Sequence, residues 1–69
     1  MKKTVFIEGM SCSHCANAVK ESLEALDGVD KVKVDLKGKK AVVKGENLDD
    51  GEIKKAVSDA GYEVVNITE

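Results

Sequence analysis

Thr4-Val5-Phe6-Ile7-Glu8-Gly9-Met10-Ser11-Cys12-Ser13-His14-Cys15 is the stretch from which the rest of the chain is read. Its first half alternates. Val5 and Ile7 fall on one side and Thr4, Phe6 and Glu8 on the other, the period of a β-strand over residues 3–8. Gly9 breaks that run. Beyond Cys15 the period becomes that of an amphipathic helix: Ala16, Val19, Leu23 and Leu26 recur at spacings of three and four, with Asn17, Lys20, Glu21 and Glu24 facing outward. The two cysteines therefore lie where a strand hands over to a helix, Cys12 in the loop and Cys15 in the first helical turn against the core. The orphan N–H groups and the positive end of the helix dipole favour thiolate at such a junction.

Asp27-Gly28 is expected to end this helix, with Gly28 as a left-handed cap. Val29, Val32, Val34 and Leu36 mark a second strand. Lys37-Gly38-Lys39 reads as a turn and Lys40 to Lys44 as a third strand, so the two strands form a hairpin. After the loop Gly45-Glu46-Asn47, Asp49 or Asp50 caps a second helix whose apolar face is Ile53, Ala56, Val57 and Ala60. Gly61 ends it, and Tyr62 to Ile67 is a fourth strand. The order strand-helix-strand-strand-helix-strand predicts an α+β, ferredoxin-like βαββαβ fold. It has a four-stranded antiparallel sheet, both helices on one face, and the first and third strands in the centre. On the open face, Val65, Phe6 and Val42 are expected side by side. The simpler reading is scattered apolar residues under lysine stems; a partner surface is the other. Lys31, Lys33, Lys37, Lys39, Lys40 and Lys44 gather on the hairpin, as a solvated edge that blocks strand-to-strand aggregation or, alternatively, a docking surface for an acidic partner.

Sixty-nine residues make a single domain, 1–69, with one thin core. With one Phe, one Tyr and no Trp, that core must be built from Val, Ile, Leu and Ala. No apolar run approaches a membrane span. Met1-Lys2-Lys3 leads into a strand without the apolar segment of a signal peptide, so the expectation is a cytoplasmic chain whose thiols stay reduced. Two cysteines are too few for a disulfide framework. The net charge is −2 and every basic residue is Lys. The missing guanidinium fork and the scarcity of aromatics argue against nucleic-acid binding.

Two accessible thiolates hold a soft metal ion or exchange electrons as a disulfide. Inert core thiols fit poorly, because Gly9, Ser11, Ser13 and His14 make the segment polar. Structural zinc wants four ligands, and no second CxxC or HxxxH is present. Copper(I) is satisfied by two or three thiolates; silver(I) and mercury(II) obey the same logic. A thioredoxin-like redox site shares the CxxC at a helix N-terminus, but such domains are longer, and this chain has no proline to supply the cis-Pro opposite the site. Met10 is a thioether donor or a core anchor. His14 is a third ligand, a proton-linked tuner or a polar loop residue. Tyr62 approaches the metal loop or is a half-buried core aromatic, and both readings can hold.

Gly9-Met10-Ser11-Cys12-Ser13-His14-Cys15 resembles the GMxCxxC signature of heavy-metal-associated domains, and Ala60-Gly61-Tyr62 is similar to the segment that opens the last strand of bacterial members. The resemblance spans residues 3–67. Such domains occur as free copper chaperones and as soluble modules of metal-transporting P-type ATPases. The resemblance implies that Cys12 and Cys15 bind one copper(I) ion, with Met10 as a core anchor and Tyr62 beside the site. His14 between the cysteines, as in bacterial copper chaperones, points to copper over zinc or mercury. Zinc-type members tend to carry an acidic residue in or beside the motif; none lies between Met10 and Cys15, though Glu8 is close. The reading is a non-enzymatic, cytoplasmic copper(I) chaperone, a monomer or a copper-bridged dimer, with no nucleic-acid partner and no membrane insertion. It passes its ion by ligand exchange to a copper-transporting P-type ATPase or a copper-responsive regulator. The alternatives are a soluble metal-binding module of such an ATPase and a dithiol/disulfide redox module.

Overall fold

Alternation commits each strand to one buried face, and the helices close that face. The computed structural model describes residues 2–69. Its elements are β1 (Lys2–Glu8), α1 (Ser13–Glu24), β2 (Val29–Asp35), β3 (Lys40–Gly45), α2 (Asp50–Asp59) and β4 (Glu63–Thr68). The sheet has the order β2-β3-β1-β4 and every pairing is antiparallel, the ferredoxin-like arrangement with β1 and β3 central. Val5 and Ile7 of β1 and Ala41 and Val43 of β3 pack against Val19 and Leu23 of α1 and Ile53, Ala56 and Val57 of α2 in one cluster.

The helix ends depart from the sequence reading in ways that place the site. α1 starts at Ser13, ahead of the apolar run, because its first turn is largely exposed and requires no apolar side chain. It stops at Glu24, and Ala25 is its C-cap. Leu26 lies past the helix yet still packs on the core. Gly28, at φ 87°, therefore precedes β2 and does not cap α1. At α2 the cap is Asp49, whose carboxylate accepts from Gly51 N–H at 2.8 Å. The far end of α2 is a Schellman turn: Gly61 N–H donates to Ser58 C=O at 2.9 Å and Tyr62 N–H to Val57 C=O at 3.1 Å. Gly61 takes the left-handed φ of 95° that this turn requires. Tyr62 thus belongs to the turn, and β4 begins one residue later than the sequence suggested.

Two features were not expected. Lys3 is buried on the core side of β1, and its ammonium pairs with Asp50 at the start of α2, which raises the lysine pKa. In addition, β1 and β4 shift register. Phe6 faces Asn66 while Ile7 faces Val64, which leaves Val65 as the extra residue of a bulge, 61% exposed. In β3 it is Lys40 that faces Phe6, and Val42 faces Thr4. Phe6 and Val65 line one shallow pocket, but Val42 faces Thr4 and not Phe6, so the three expected residues form no single row on the open face.

Candidate metal centre

The loop between β1 and α1 is held from both sides. Gly9 has φ 99°, and a Cβ there would lie 3.1 Å from Cδ1 of Tyr62, so backbone twist and the tyrosine ring both call for glycine. Met10 is 7% exposed and belongs to the core cluster. Between this anchor and the helix, Ser11 and Cys12 are exposed. Cys12 is the N-cap of α1, with extended backbone (φ −154°, ψ 173°), and its carbonyl accepts from Ala16 N–H at 3.1 Å. Its side chain makes no cap hydrogen bond, which leaves the sulfur free.

Cys15 stands three residues into the helix, and its Sγ lies 3.5 Å from that of Cys12. Cys12 is exposed and Cys15 half-buried. The Cys15 thiol is held well below its ordinary range, at about 6. The largest cause is the Tyr62 hydroxyl directed at the sulfur; the Ser11 backbone N–H and the Cys12 thiol follow, and burial opposes them. The reciprocal effect raises the Tyr62 phenol, chiefly through Cys15. Cys15 thus occupies the position from which a glutamate would reach back in a capping box, and backbone N–H groups at the helix start stabilise its sulfur as they would a carboxylate.

The structure brings four of the five singled-out residues into one neighbourhood: the two sulfurs, Met10 beneath the loop and Tyr62 over Gly9 and toward Cys15. His14 is exposed on the first turn of α1. Among the described residues no group of three or more His, Cys, Asp or Glu side chains converges on a metal position. What the candidate centre brings together is two soft sulfur atoms. Among the described residues no helix is long and apolar enough to cross a membrane. Sequence reasoning missed the backbone N–H groups of Ser11 and Cys12 at Cys15; the signal for the Cys12 N–H was the three-residue spacing from N-cap to Cys15, which is that of a capping box.

Comparison with known proteins agrees with this fold. The family model of the heavy-metal-associated domain matches residues 4–63. A copper chaperone CopZ of Enterococcus hirae is 43% identical over 65 residues, spanning 91% of this chain and 94% of its own. A solved structure described as a CopZ metallochaperone superposes with a TM-score of 0.90 at 34% identity, covering 94% of this chain and 100% of that one. A copper-binding domain from HMA7, a P-type ATPase, reaches 0.90 at 33% identity and covers 100% of this chain and 96% of that one.

Proposed function

The chain belongs to the heavy-metal-associated domain family, and on that footing we propose that it is a cytoplasmic copper(I) chaperone. The observation that carries the reading is the pair of sulfurs 3.5 Å apart, one exposed and one half-buried, with no third His, Cys, Asp or Glu side chain gathered around them among the described residues. Two soft ligands match copper(I) and leave coordination positions open. Thiolates need a reducing compartment, which favours the cytoplasm.

The ion is cargo, and delivery is an exchange of copper–sulfur bonds without a change in oxidation state. Copper(I) sits on the Cys12 and Cys15 thiolates. A partner thiolate enters on the exposed Cys12 side and adds a third copper–sulfur bond. The bond to Cys12 then breaks, a second partner thiolate adds, and the bond to Cys15 breaks last. Each freed thiolate takes up the equivalent of the proton that the incoming thiol released. Met10, buried in the core, holds the loop and stays off the metal. His14 tunes the site from its edge, and the Tyr62 hydroxyl supports the Cys15 thiolate. Partners with the matching chemistry are a copper-transporting P-type ATPase and a copper-responsive regulator.

The likeness to an ATPase copper-binding domain favours a second reading, a metal-binding module acting in cis within a transporter. Both readings stand or fall on metal binding, which is tested by anaerobic copper(I) titration against a competing chelator with native mass spectrometry. The expected result is one copper per monomer, with zinc failing to displace it. If equimolar copper(I) left the melting temperature of the reduced protein unchanged while oxidation shifted it strongly, the dithiol/disulfide reading would replace this one.

A further inference from the structure

We propose that Asp27–Gly28, in the turn from α1 to β2, is a self-modification site at which the chain converts its own aspartate to isoaspartate and so loosens the start of β2. The chemistry needs no enzyme and no oxidant. The Gly28 amide nitrogen attacks Cγ of the protonated Asp27 carboxyl. The carboxyl hydroxyl leaves as water with the amide proton, and a succinimide ring closes. Water then adds to one of the two ring carbonyls. Opening at Cγ restores aspartate. Opening at the main-chain carbonyl leaves the chain running through Cβ and Cγ, with the α-carboxylate as the new side group. Glycine after aspartate favours closure because no side chain shields its nitrogen. The sequence contains the pair twice, at Asp27–Gly28 and Asp50–Gly51, and local sequence ranks the two alike. The fold separates them.

Leu26 to Val29 form a β-turn, in which Val29 N–H donates to Leu26 C=O at 3.3 Å. Gly28 has φ 87° and Asp27 is not among the residues of positive φ, the pattern of a type II turn. Both residues are exposed. Among the described residues the Gly28 N–H and the Asp27 carbonyl make no backbone hydrogen bond, and the Asp27 carboxylate makes no ion pair. Nucleophile and carboxyl are both at liberty, and the peptide between them rotates without breaking a helix or sheet bond. At Asp50–Gly51 both groups are occupied. Gly51 N–H donates to the Asp49 carboxylate at 2.8 Å, and the Lys3 ammonium holds the Asp50 carboxylate. That pair also lies in the first turn of α2.

The turn has no slack to absorb the change. Gly28 C=O accepts from Glu46 N–H at 2.8 Å. A Cβ on Gly28 would lie 2.4 Å from the Glu46 carbonyl oxygen, and one on Gly45 would lie 2.0 Å from that of Gly28, so the two main chains cross without spare room. Isoaspartate adds one atom to the main chain immediately before this crossing, which carries the Gly28 carbonyl off Glu46 N–H. Cys12 caps the other end of α1, twelve residues or about 18 Å away at the helical rise. The cysteine pair is untouched, and the inference does not depend on which ion it carries.

The test ages the full chain, reduced and metal-free, for several weeks at neutral pH, folded in one arm and in strong guanidinium chloride in the other. Isoaspartate is counted by methyl transfer from S-adenosylmethionine with an isoaspartyl methyltransferase and is placed by electron-transfer fragmentation of the peptides. In the folded chain Asp27 should carry about tenfold more isoaspartate than Asp50, the size expected when one hydrogen bond and one ion pair oppose closure at the second site. In guanidinium the two sites should converge. Asp27→Glu, whose longer side chain cannot close the same ring, should abolish the product at this position and take up copper(I) as the wild type does. The aged fraction that carries isoaspartate should exchange the Glu46 amide hydrogen faster than the fresh chain, with unchanged copper(I) stoichiometry. No isoaspartate at Asp27, equal or greater yield at Asp50 in the folded chain, an excess at Asp27 that persists in guanidinium, or Glu46 exchange equal to that of the fresh chain would each overturn the proposal.

Discussion

The two halves of this molecule repeat one topology, yet their helices begin in opposite ways. α2 opens on Asp49, whose carboxylate caps Gly51 N–H, and its first turn adds Asp50 and Glu52. α1 opens on Cys12, which makes no side-chain cap bond, and its first turn contains no acidic residue. At α2 the positive end of the dipole is neutralised by fixed carboxylates. At α1 that place is left to the Cys15 sulfur, whose pKa Tyr62 and the Ser11 backbone lower. The difference teaches how the proposed metal centre fits a small fold. A helix start that a structural helix would fill with Asp or Glu is kept here for a thiol of lowered pKa. Omitting a side-chain cap costs about 1 kcal/mol, which the core must absorb.

Exchanging residues between the two helix starts should show the largest effect at α1. Cys12→Ser and Cys15→Ser should each reduce copper(I) affinity by orders of magnitude, read by competition with a chelator, while Asp49→Ala leaves it unchanged. Retention of wild-type affinity by either serine variant would remove the two-thiolate site. Beneath the same loop, Met10→Ala should act on the fold more than on the metal. Met10 is buried in the core cluster, and truncating a buried methionine costs about 2–5 kcal/mol. Urea denaturation of the apo protein measures it. Wild-type stability combined with lost affinity would instead make Met10 a ligand.

The comparison also marks what could be read from the chain alone. Val5, Ile7, Ala41 and Val43 sit where period-two alternation puts them, and the helical period located Val19, Leu23, Ile53 and Val57. The cap was legible as Asp49 or Asp50, because Asp before an apolar run has a local reason to be there, and the fold selects Asp49. Lys3 was not, because its burial depends on Asp50, distant in sequence and brought close only by the finished fold. The bulge at Val65 was equally hidden: nothing local distinguishes it from Val64, and only pairing with β1 singles it out. At the site, the two cysteines announced themselves by spacing. Gly61 was legible as a helix end, but the Schellman turn that holds Tyr62 just past α2 is a backbone pattern, so the tyrosine read as strand.

A smaller effect is expected at the other helix start. Asp49→Ala removes the acceptor for Gly51 N–H and should lower stability by about 1 kcal/mol, seen as a reduced urea midpoint with an unchanged slope. A loss well above that would mean that Asp49 also supports the neighbouring Lys3–Asp50 pair. No change at all would show that Asp50 and Glu52 already satisfy the helix start, and the contrast between the helices would then rest on α1 alone.

The smallest and most specific change is Tyr62→Phe, which keeps the ring beside Gly9 and deletes the hydroxyl. Cys15 is an acid whose folded pKa, about 6, lies below its ordinary value of 9.0. Its thiolate therefore adds stability that is fully present above the unfolded pKa and is lost as the pH falls through the folded one. The apo wild type should grow more stable between about pH 6 and pH 9 on this account. The raised Tyr62 phenol has the opposite sense: its contribution is present below the ordinary phenol pKa and is lost at higher pH, so the measurement stays below pH 9. Removing the largest cause of the Cys15 shift should bring the thiol back toward its ordinary range and flatten the rise in urea midpoint across this window. Protons should then compete with copper(I) more effectively, so chelator competition near pH 6 should favour the wild type over Tyr62→Phe more than it does at pH 8. An unchanged slope of midpoint against pH would mean that the Ser11 N–H and the helix start alone hold the thiolate, and that the tyrosine serves the loop only by covering Gly9.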